Sequence, residues 1–286
     1  MATTTPTAAS AGTFRLGDLE VRRMGFGAMR LTGGGIWGPP ADRREAIRVL
    51  RTAVHDLGVN LIDTADSYGP FVAEELIAEA LHPYPADLVI ATKGGLERPA
   101  PGQWRPNGHP VHLREACEGS LRRLRVARID VYQLHAPDPR VPVEDSLGEL
   151  VRLRDEGKIR HIGVSNFDVK KLERALEIAP VVSVQNRYNL TERASEPVVD
   201  WCEARGIGFL PWRPILGGVV DELLAHSIGA RHRATPTQVA LAWLLQRSPA
   251  ILPIPGTSEV RHLRENVEAT WVELSDEEMD ELRELG

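Results

Sequence analysis

From residue 13 onward the chain alternates short apolar runs with longer stretches in which apolar positions recur every three or four residues. Thr13-Phe14-Arg15-Leu16 and Leu19-Glu20-Val21-Arg22 alternate with period two around Gly17-Asp18, which predicts a tight β-hairpin. Eight apolar runs follow, at 24–28, 59–63, 88–93, 129–134, 159–164, 181–185, 207–211 and 250–254. Between them lie segments of helical period: 43–57, with Ala46, Ile47, Leu50, Ala53 and Val54 on one face, then 113–124, 143–154, 169–178, 195–205 and 236–246. Continuously apolar strands that each feed a helix belong to a parallel sheet covered by helices. Eight such units in about 260 residues predict an α/β fold of the (β/α)8 TIM-barrel type rather than an open sheet. Wide spacings at 94–111 and 212–235 follow the third and seventh strands, so long loops are expected on the C-terminal face, where barrels carry function.

Residues 1–12 are mostly Thr, Ala and Ser, without the basic start and apolar run of a signal peptide, and are expected to be a disordered tail. No linker-like break divides residues 13–286, which are read as one barrel domain. Apolar residues make up 42% and charged residues 26%, which excludes disordered and disulfide-scaffold classes. With 34 basic and 40 acidic residues the net charge is −6, which disfavours nonspecific binding to nucleic acid or anionic membrane. No apolar run reaches the roughly 18 residues of a membrane span. Cys117 and Cys202 lie far apart in helix-like surroundings, so inert buried thiols in a reducing, cytoplasmic setting are expected, and no metal site.

Gly33-Gly34-Gly35-Ile36-Trp37-Gly38 formally matches the G-x-G-x-x-G dinucleotide fingerprint. Pro39-Pro40 follows at once and no helix can begin before about Asp42, so the last glycine does not open a helix facing a pyrophosphate. The segment fits a mouth loop instead.

The candidate chemistry sits at strand ends. The second run ends in Asp63-Thr64-Ala65-Asp66-Ser67-Tyr68-Gly69, the third in Thr92-Lys93-Gly94 and the fourth in Gln133-Leu134-His135. In a barrel these ends converge. Of the four lysines, Lys158, Lys170 and Lys171 lie in polar sequence, whereas Lys93 closes an apolar strand and needs a carboxylate partner, for which Asp63 is placed. A structural ion pair is one reading. The other gives Tyr68 a phenol acidified by the neighbouring ammonium, able to protonate a carbonyl oxygen as hydride arrives, with His135 orienting that carbonyl. A Schiff base on Lys93 would need a neutral amine, which a close carboxylate opposes.

These residues resemble the aldo-keto reductase superfamily from about Leu16 to Leu282, through Asp63 to Gly69, Thr92-Lys93, Leu134-His135, Gly163-Val164-Ser165-Asn166, Val184-Gln185 and Ile254-Pro255-Gly256-Thr257-Ser258 through Glu265-Asn266. The resemblance implies a nicotinamide cofactor, NADPH with NADH as a second option, bound without a Rossmann domain, and a catalytic tetrad of Asp63, Tyr68, Lys93 and His135. It implies carboxamide contacts from Ser165, Asn166 and Gln185. It places Trp212 against the nicotinamide, with a core tryptophan as the alternative, and Arg213 either on the pyrophosphate or in solvent. It places the adenosine phosphate at Gly256, Thr257, Ser258, Arg261, His262 and Arg264, and the adenine near Glu265 and Asn266. Hydroxyls and free N–H groups at a helix start suit such an anion. Gly256 and His262 stand where better-known members carry Lys and Arg, and Glu259 opposes a phosphate.

The 33–40 loop, Tyr68-Gly69-Pro70 and residues 238–247 resemble the bacterial pyridoxal reductase branch, which implies an aromatic aldehyde substrate. Trp37 and Trp104 are then candidate pocket walls, with ordinary loop packing as the alternative. The alternative function is a cofactor-binding regulatory subunit with little turnover.

Overall fold

A computed structural model describes residues 6–215 and 223–284. The hairpin pairs β1 (Thr13–Leu16) with β2 (Leu19–Arg22), Leu16 opposite Leu19. The chain continues through β3 (Phe26–Gly27), α1 (Arg43–Arg51), β4 (Leu61–Asp63), α2 (Val72–Leu81) and β5 (Val89–Gly94). The wide spacing that follows holds a second hairpin, β6 (Leu96–Glu97) and β7 (Arg105–Pro106). Next come α3 (Pro110–Leu124), β8 (Ile129–Leu134), α4 (Val143–Asp155), β9 (Ile159–Ser165), α5 (Val169–Ile178), β10 (Val181–Gln185), α6 (Glu196–Glu203) and β11 (Gly208–Phe209). The described chain ends with α7 (Leu223–His232), α8 (Pro236–Arg247), α9 (Val260–Glu268) and α10 (Asp276–Arg283).

The parallel strands lie in the order β11-β10-β9-β8-β5-β4-β3. The eighth apolar run closes the barrel without forming a regular strand. Phe209 N–H donates to Ala250 O and Leu252 N–H to Phe209 O, both at 2.8 Å, and on the other side Gly25 N–H donates to Pro253 O at 2.9 Å. Pro253 and Pro255 have no N–H to return, so the ladder survives only as isolated bonds.

Side-chain alternation explains where the polar residues emerge. Leu61, Val89, Ala91, Val131, Leu210, Leu252 and Ile254 form an inner cluster that Leu16, Leu19 and Val21 of the first hairpin plug from below. Their neighbours Ile62, Ile90 and Tyr132 belong to the outer layer under the helices. Stepping by two from the inner layer, Leu61 leads to Asp63, Ala91 to Lys93, and Val131 to Gln133 and then His135. The same period that fills the barrel with apolar side chains therefore delivers these four polar groups to its C-terminal end.

Two expectations are corrected. The stretch 6–12, expected to be disordered tail, is ordered: Ala8–Ala11 forms a 3-10 turn, Ala8 is fully buried, and its N–H donates to Leu57 O at 2.8 Å. Alanine is small enough to enter the groove there, and Arg23 N–H satisfies Gly12 O at 3.0 Å. Residues 1–5 of that tail lie outside the described residues. The segment 43–57 is not one regular helix either, because α1 passes at Thr52–Asp56 into a π-turn, closed by Leu57 N–H on Thr52 O at 3.0 Å. The wider turn keeps Thr52, Ala53 and Leu57 all buried.

Among the described residues no helix is long and apolar enough to cross a membrane. Cys117 and Cys202 are buried, and burial pushes each thiol up to about 12. The Gly33–Gly38 segment is a tight loop, with Gly33 N–H on Gly38 O at 2.9 Å and Gly38 N–H on Gly69 O at 2.6 Å. The helix after it starts separately, at Arg43, capped by Asp42.

Candidate active site

Lys93 is wholly buried, and its three ammonium hydrogens meet three acceptors: Asp63 Oδ2 at 2.8 Å, Thr64 O at 2.7 Å and Tyr68 Oη at 3.1 Å. Asp63 is fixed in turn, its Oδ1 accepting from Gln185 Nε2 at 2.8 Å and Gln133 Nε2 at 3.3 Å. Gly163 makes room for this layer, since a Cβ there would lie 2.4 Å from Ser183 Oγ and 2.8 Å from Gln133 Cγ. Burial pulls the Lys93 pKa down, but the Asp63 carboxylate and Tyr68 more than reverse it, and the ammonium is held above the usual lysine range.

Tyr68 comes from the loop after β4, folded back by Tyr68 N–H on Ala65 O at 3.2 Å. Its pKa departs from the sequence expectation: burial raises it more than the Lys93 charge lowers it, and the phenol stands above its ordinary value. The charge is visible in the sequence, but the burial is not. The Tyr68 ring meets the edge of His135, with centroids 5.9 Å apart at 84°. Burial, then the Lys93 charge, pushes His135 well below the usual histidine range, so the imidazole is neutral. Its Nδ1 lies 3.3 Å from Ser67 Oγ.

Beside this group, Ser165 Oγ donates to Gln185 O at 2.7 Å, and Asn166 Nδ2 donates to His135 O and to Ser165 Oγ, both at 3.0 Å. Asn166 has φ of 64°, a left-handed conformation that asparagine tolerates. Its Oδ1 accepts from Trp212 Nε1 at 3.1 Å. Trp212 is only partly buried, so it is not a core tryptophan. Arg213 is exposed, with φ of 53° and its carbonyl accepting from Asn189 Nδ2 at 3.0 Å.

The 256–266 segment packs beside β3, where a Cβ on Gly256 would lie 2.5 Å from Gly27 O. Thr257 is buried, and its Oγ1 accepts from Glu259 N–H at 3.1 Å, while Ser258 is exposed. Each arginine in the segment already has a carboxylate, Arg261 with Glu265 at 2.8 Å and Arg264 with Asp56 at 3.4 Å, while His262 Nδ1 lies 3.6 Å from Glu259 and its Nε2 accepts from Arg261 Nη2 at 2.7 Å. Glu45 of α1 also reaches in, accepting from Val260 N–H at 3.2 Å. Asn266 is buried nearby. Hydroxyls, amides and arginines are the donor set an adenosine phosphate requires, yet the carboxylates leave this end far less positive than its arginines suggest.

Trp37 and Trp104 both lie against Arg98, their ring centroids 5.5 and 3.7 Å from its guanidinium, and the Trp104 centroid is 6.5 Å from that of His135. Arg98, Gln133, Ser67 and Thr64 were not singled out from the sequence. Gln133 carried a readable signal, being a polar residue two places before His135 in an apolar strand. Thr64 contributes a main-chain carbonyl, which no side chain announces.

The aldo/keto reductase family profile matches residues 23–225 and 221–286. The chain is 48% identical to an uncharacterized oxidoreductase of Schizosaccharomyces pombe over 281 residues, spanning 98% of this chain and 91% of the relative. It is 45% identical over 282 residues to pyridoxine 4-dehydrogenase of Escherichia coli, spanning 96% of this chain and 98% of that protein. Among solved structures, an aldo-keto reductase from Klebsiella pneumoniae in complex with NADPH superposes with a TM-score of 0.80 at 26% identity, covering 99% of this chain and 95% of that one. The chain belongs to the aldo/keto reductase family and is an oxidoreductase of that family.

Proposed function

We propose that residues 13–286 act as one catalytic barrel that reduces an aldehyde or ketone to the alcohol with NADPH, Tyr68 serving as general acid. The observation that carries this reading is the sharing of one buried ammonium between Asp63 Oδ2 and Tyr68 Oη, with the neutral ring of His135 alongside. A reduced nicotinamide, when bound, supplies the hydride. As charge grows on the carbonyl oxygen, Tyr68 Oη–H gives up its proton, and the phenolate left behind is stabilised by Lys93. Asp63 keeps Lys93 charged, which also opposes imine chemistry on that amine. His135, neutral, donates one N–H to orient the carbonyl.

Ser165, Asn166 and Gln185 are the residues to hold the carboxamide, because their free acceptor capacity suits an amide N–H. Trp212, tethered by Asn166, offers its ring to the nicotinamide. Gly256, Thr257, Ser258, Arg261, His262 and Arg264 would receive the adenosine phosphate, with Glu265 and Asn266 toward the adenine. Arg213 stands beside the pyrophosphate path. Their carboxylate neighbours support a modest preference for NADPH over NADH.

The substrate proposed is pyridoxal or another aromatic aldehyde. The relation to pyridoxine 4-dehydrogenase and the indoles of Trp37 and Trp104 at the mouth support it. Cofactor consumption by the purified protein, with pyridoxal, 4-nitrobenzaldehyde, methylglyoxal and simple ketones, tests it. Selective turnover of the aromatic aldehydes with NADPH is expected. Tight cofactor binding without consumption on any carbonyl would contradict it and favour a regulatory subunit.

A further inference from the structure

Arg98 lies in the loop between β6 and β7 and is only 8% exposed, yet among the described residues no carboxylate forms an ion pair with it. Its charge is instead held by main-chain carbonyls and aromatic faces. Nε donates to Gln103 O at 3.1 Å, Nη1 to Ile36 O at 3.0 Å and Ser67 O at 3.2 Å, and Nη2 to Gly35 O at 3.2 Å. The guanidinium lies 3.7 Å from the Trp104 ring centroid and 5.5 Å from that of Trp37. These carbonyls belong to the three loops that follow β3, β4 and β5.

We infer that Arg98 is a positioning residue that ties the three mouth loops into one preformed, aromatic-walled entrance, and thereby sets selectivity for flat aromatic carbonyls over small aliphatic ones. The inference rests on the reductase reading above. Four of the five guanidinium N–H donors are already used, so the group has no free fork for a substrate carboxylate and acts through what it holds. It holds two things. Stacking keeps Trp104 in place with its ring toward His135. The bond to Ser67 O fixes Ser67, the residue just before Tyr68, and the Ser67 hydroxyl lies 3.3 Å from His135 Nδ1. Lysine cannot replace it, since an ammonium has three donors, no planar face and no way to reach two indoles and four carbonyls together.

Arg98→Lys and Arg98→Gln should each lower kcat/KM for 4-nitrobenzaldehyde by about tenfold more than for methylglyoxal, the scale on which shaped pockets discriminate. The effect should fall mainly on KM, with NADPH affinity, read by fluorescence titration, close to wild type. Hydrogen exchange of the free protein should quicken at 33–38 and 98–106 and stay unchanged in α5. Parallel loss for both aldehydes, no loss for either, or unchanged exchange in those loops would overturn the inference. A wild-type protein that consumes no cofactor with any carbonyl would overturn the reductase reading and the selectivity with it, while the exchange rates would still decide whether Arg98 joins the loops.

Discussion

Around Lys93 every polar contact is buried and shared, whereas around Arg261 the contacts are exposed and each arginine has a carboxylate of its own. The first cluster uses all three ammonium hydrogens and both Asp63 oxygens within a closed layer. The second consists of the Arg261–Glu265, His262–Glu259 and Arg264–Asp56 pairs on or beside α9. Low dielectric makes the first strong and intolerant of any missing partner, while solvent and salt weaken the second. The proposed chemistry thus has a rigid end, and the proposed cofactor phosphate an adjustable one.

The largest break should come from Lys93→Met. It removes the counter-charge from Tyr68 and leaves Asp63 buried and unpaired, so turnover should fall by about 10²-fold or more and stability by about 3–5 kcal/mol. The double variant Asp63→Asn, Lys93→Met sharpens the point. Chemical denaturation should show much of the stability restored, and cofactor consumption should show no turnover regained.

A smaller, pH-dependent effect is expected behind the rigid end. Asp66 is buried with Oδ1 unpartnered, beside Glu74, which takes Thr92 Oγ1 and Arg123 Nε, each at 2.6 Å. Burial, then the Glu74 charge, raises its carboxyl from 3.8 to about 8. The folded state therefore binds this proton more tightly than the unfolded chain, and the group's contribution to stability declines as pH rises from 3.8 to about 8. Asp66→Asn removes that decline, so its melting temperature should match wild type near the acid end and exceed it by a few degrees at the upper end. A difference that stays constant across that window would contradict the assignment.

The smallest effect should come from the exposed end. Arg261→Ala should raise the KM for NADPH only a few-fold, with kcat unchanged and the difference shrinking in high salt, because Glu265 already offsets the charge. Glu259→Gln should act in the opposite sense and widen the NADPH preference over NADH. A loss at Arg261 as large as that at Lys93 would erase the distinction between the two ends.

The same contrast explains what was legible in the sequence. Asp63, Lys93 and His135 stood out because a charged or polar group at the end of an apolar strand has few explanations, and period two in those strands points them inward. The barrel was legible from the repeated units, although its eighth run closes by single bonds around prolines rather than as a strand. The ordered turn at Ala8–Ala11 was not legible, because Thr, Ala and Ser composition does not show that a groove accepts them. Arg98 was hidden for another reason. Its partners are carbonyls at 35, 36, 67 and 103, and which carbonyl a guanidinium meets depends on loop conformation, not on residue type. The Tyr68 acidity is not legible, because sequence displays a charge but not the burial that opposes it.

The central claim is that Tyr68 supplies the proton, and Tyr68→Phe tests it most directly. The measurement is NADPH consumption with pyridoxal and 4-nitrobenzaldehyde by both proteins, alongside fluorescence titration of the cofactor. The expected result is a fall in kcat of about 10²–10⁴-fold with cofactor affinity unchanged. Turnover retained at the wild-type rate, with cofactor bound equally well, would contradict the role assigned to Tyr68 and the mechanism built on it.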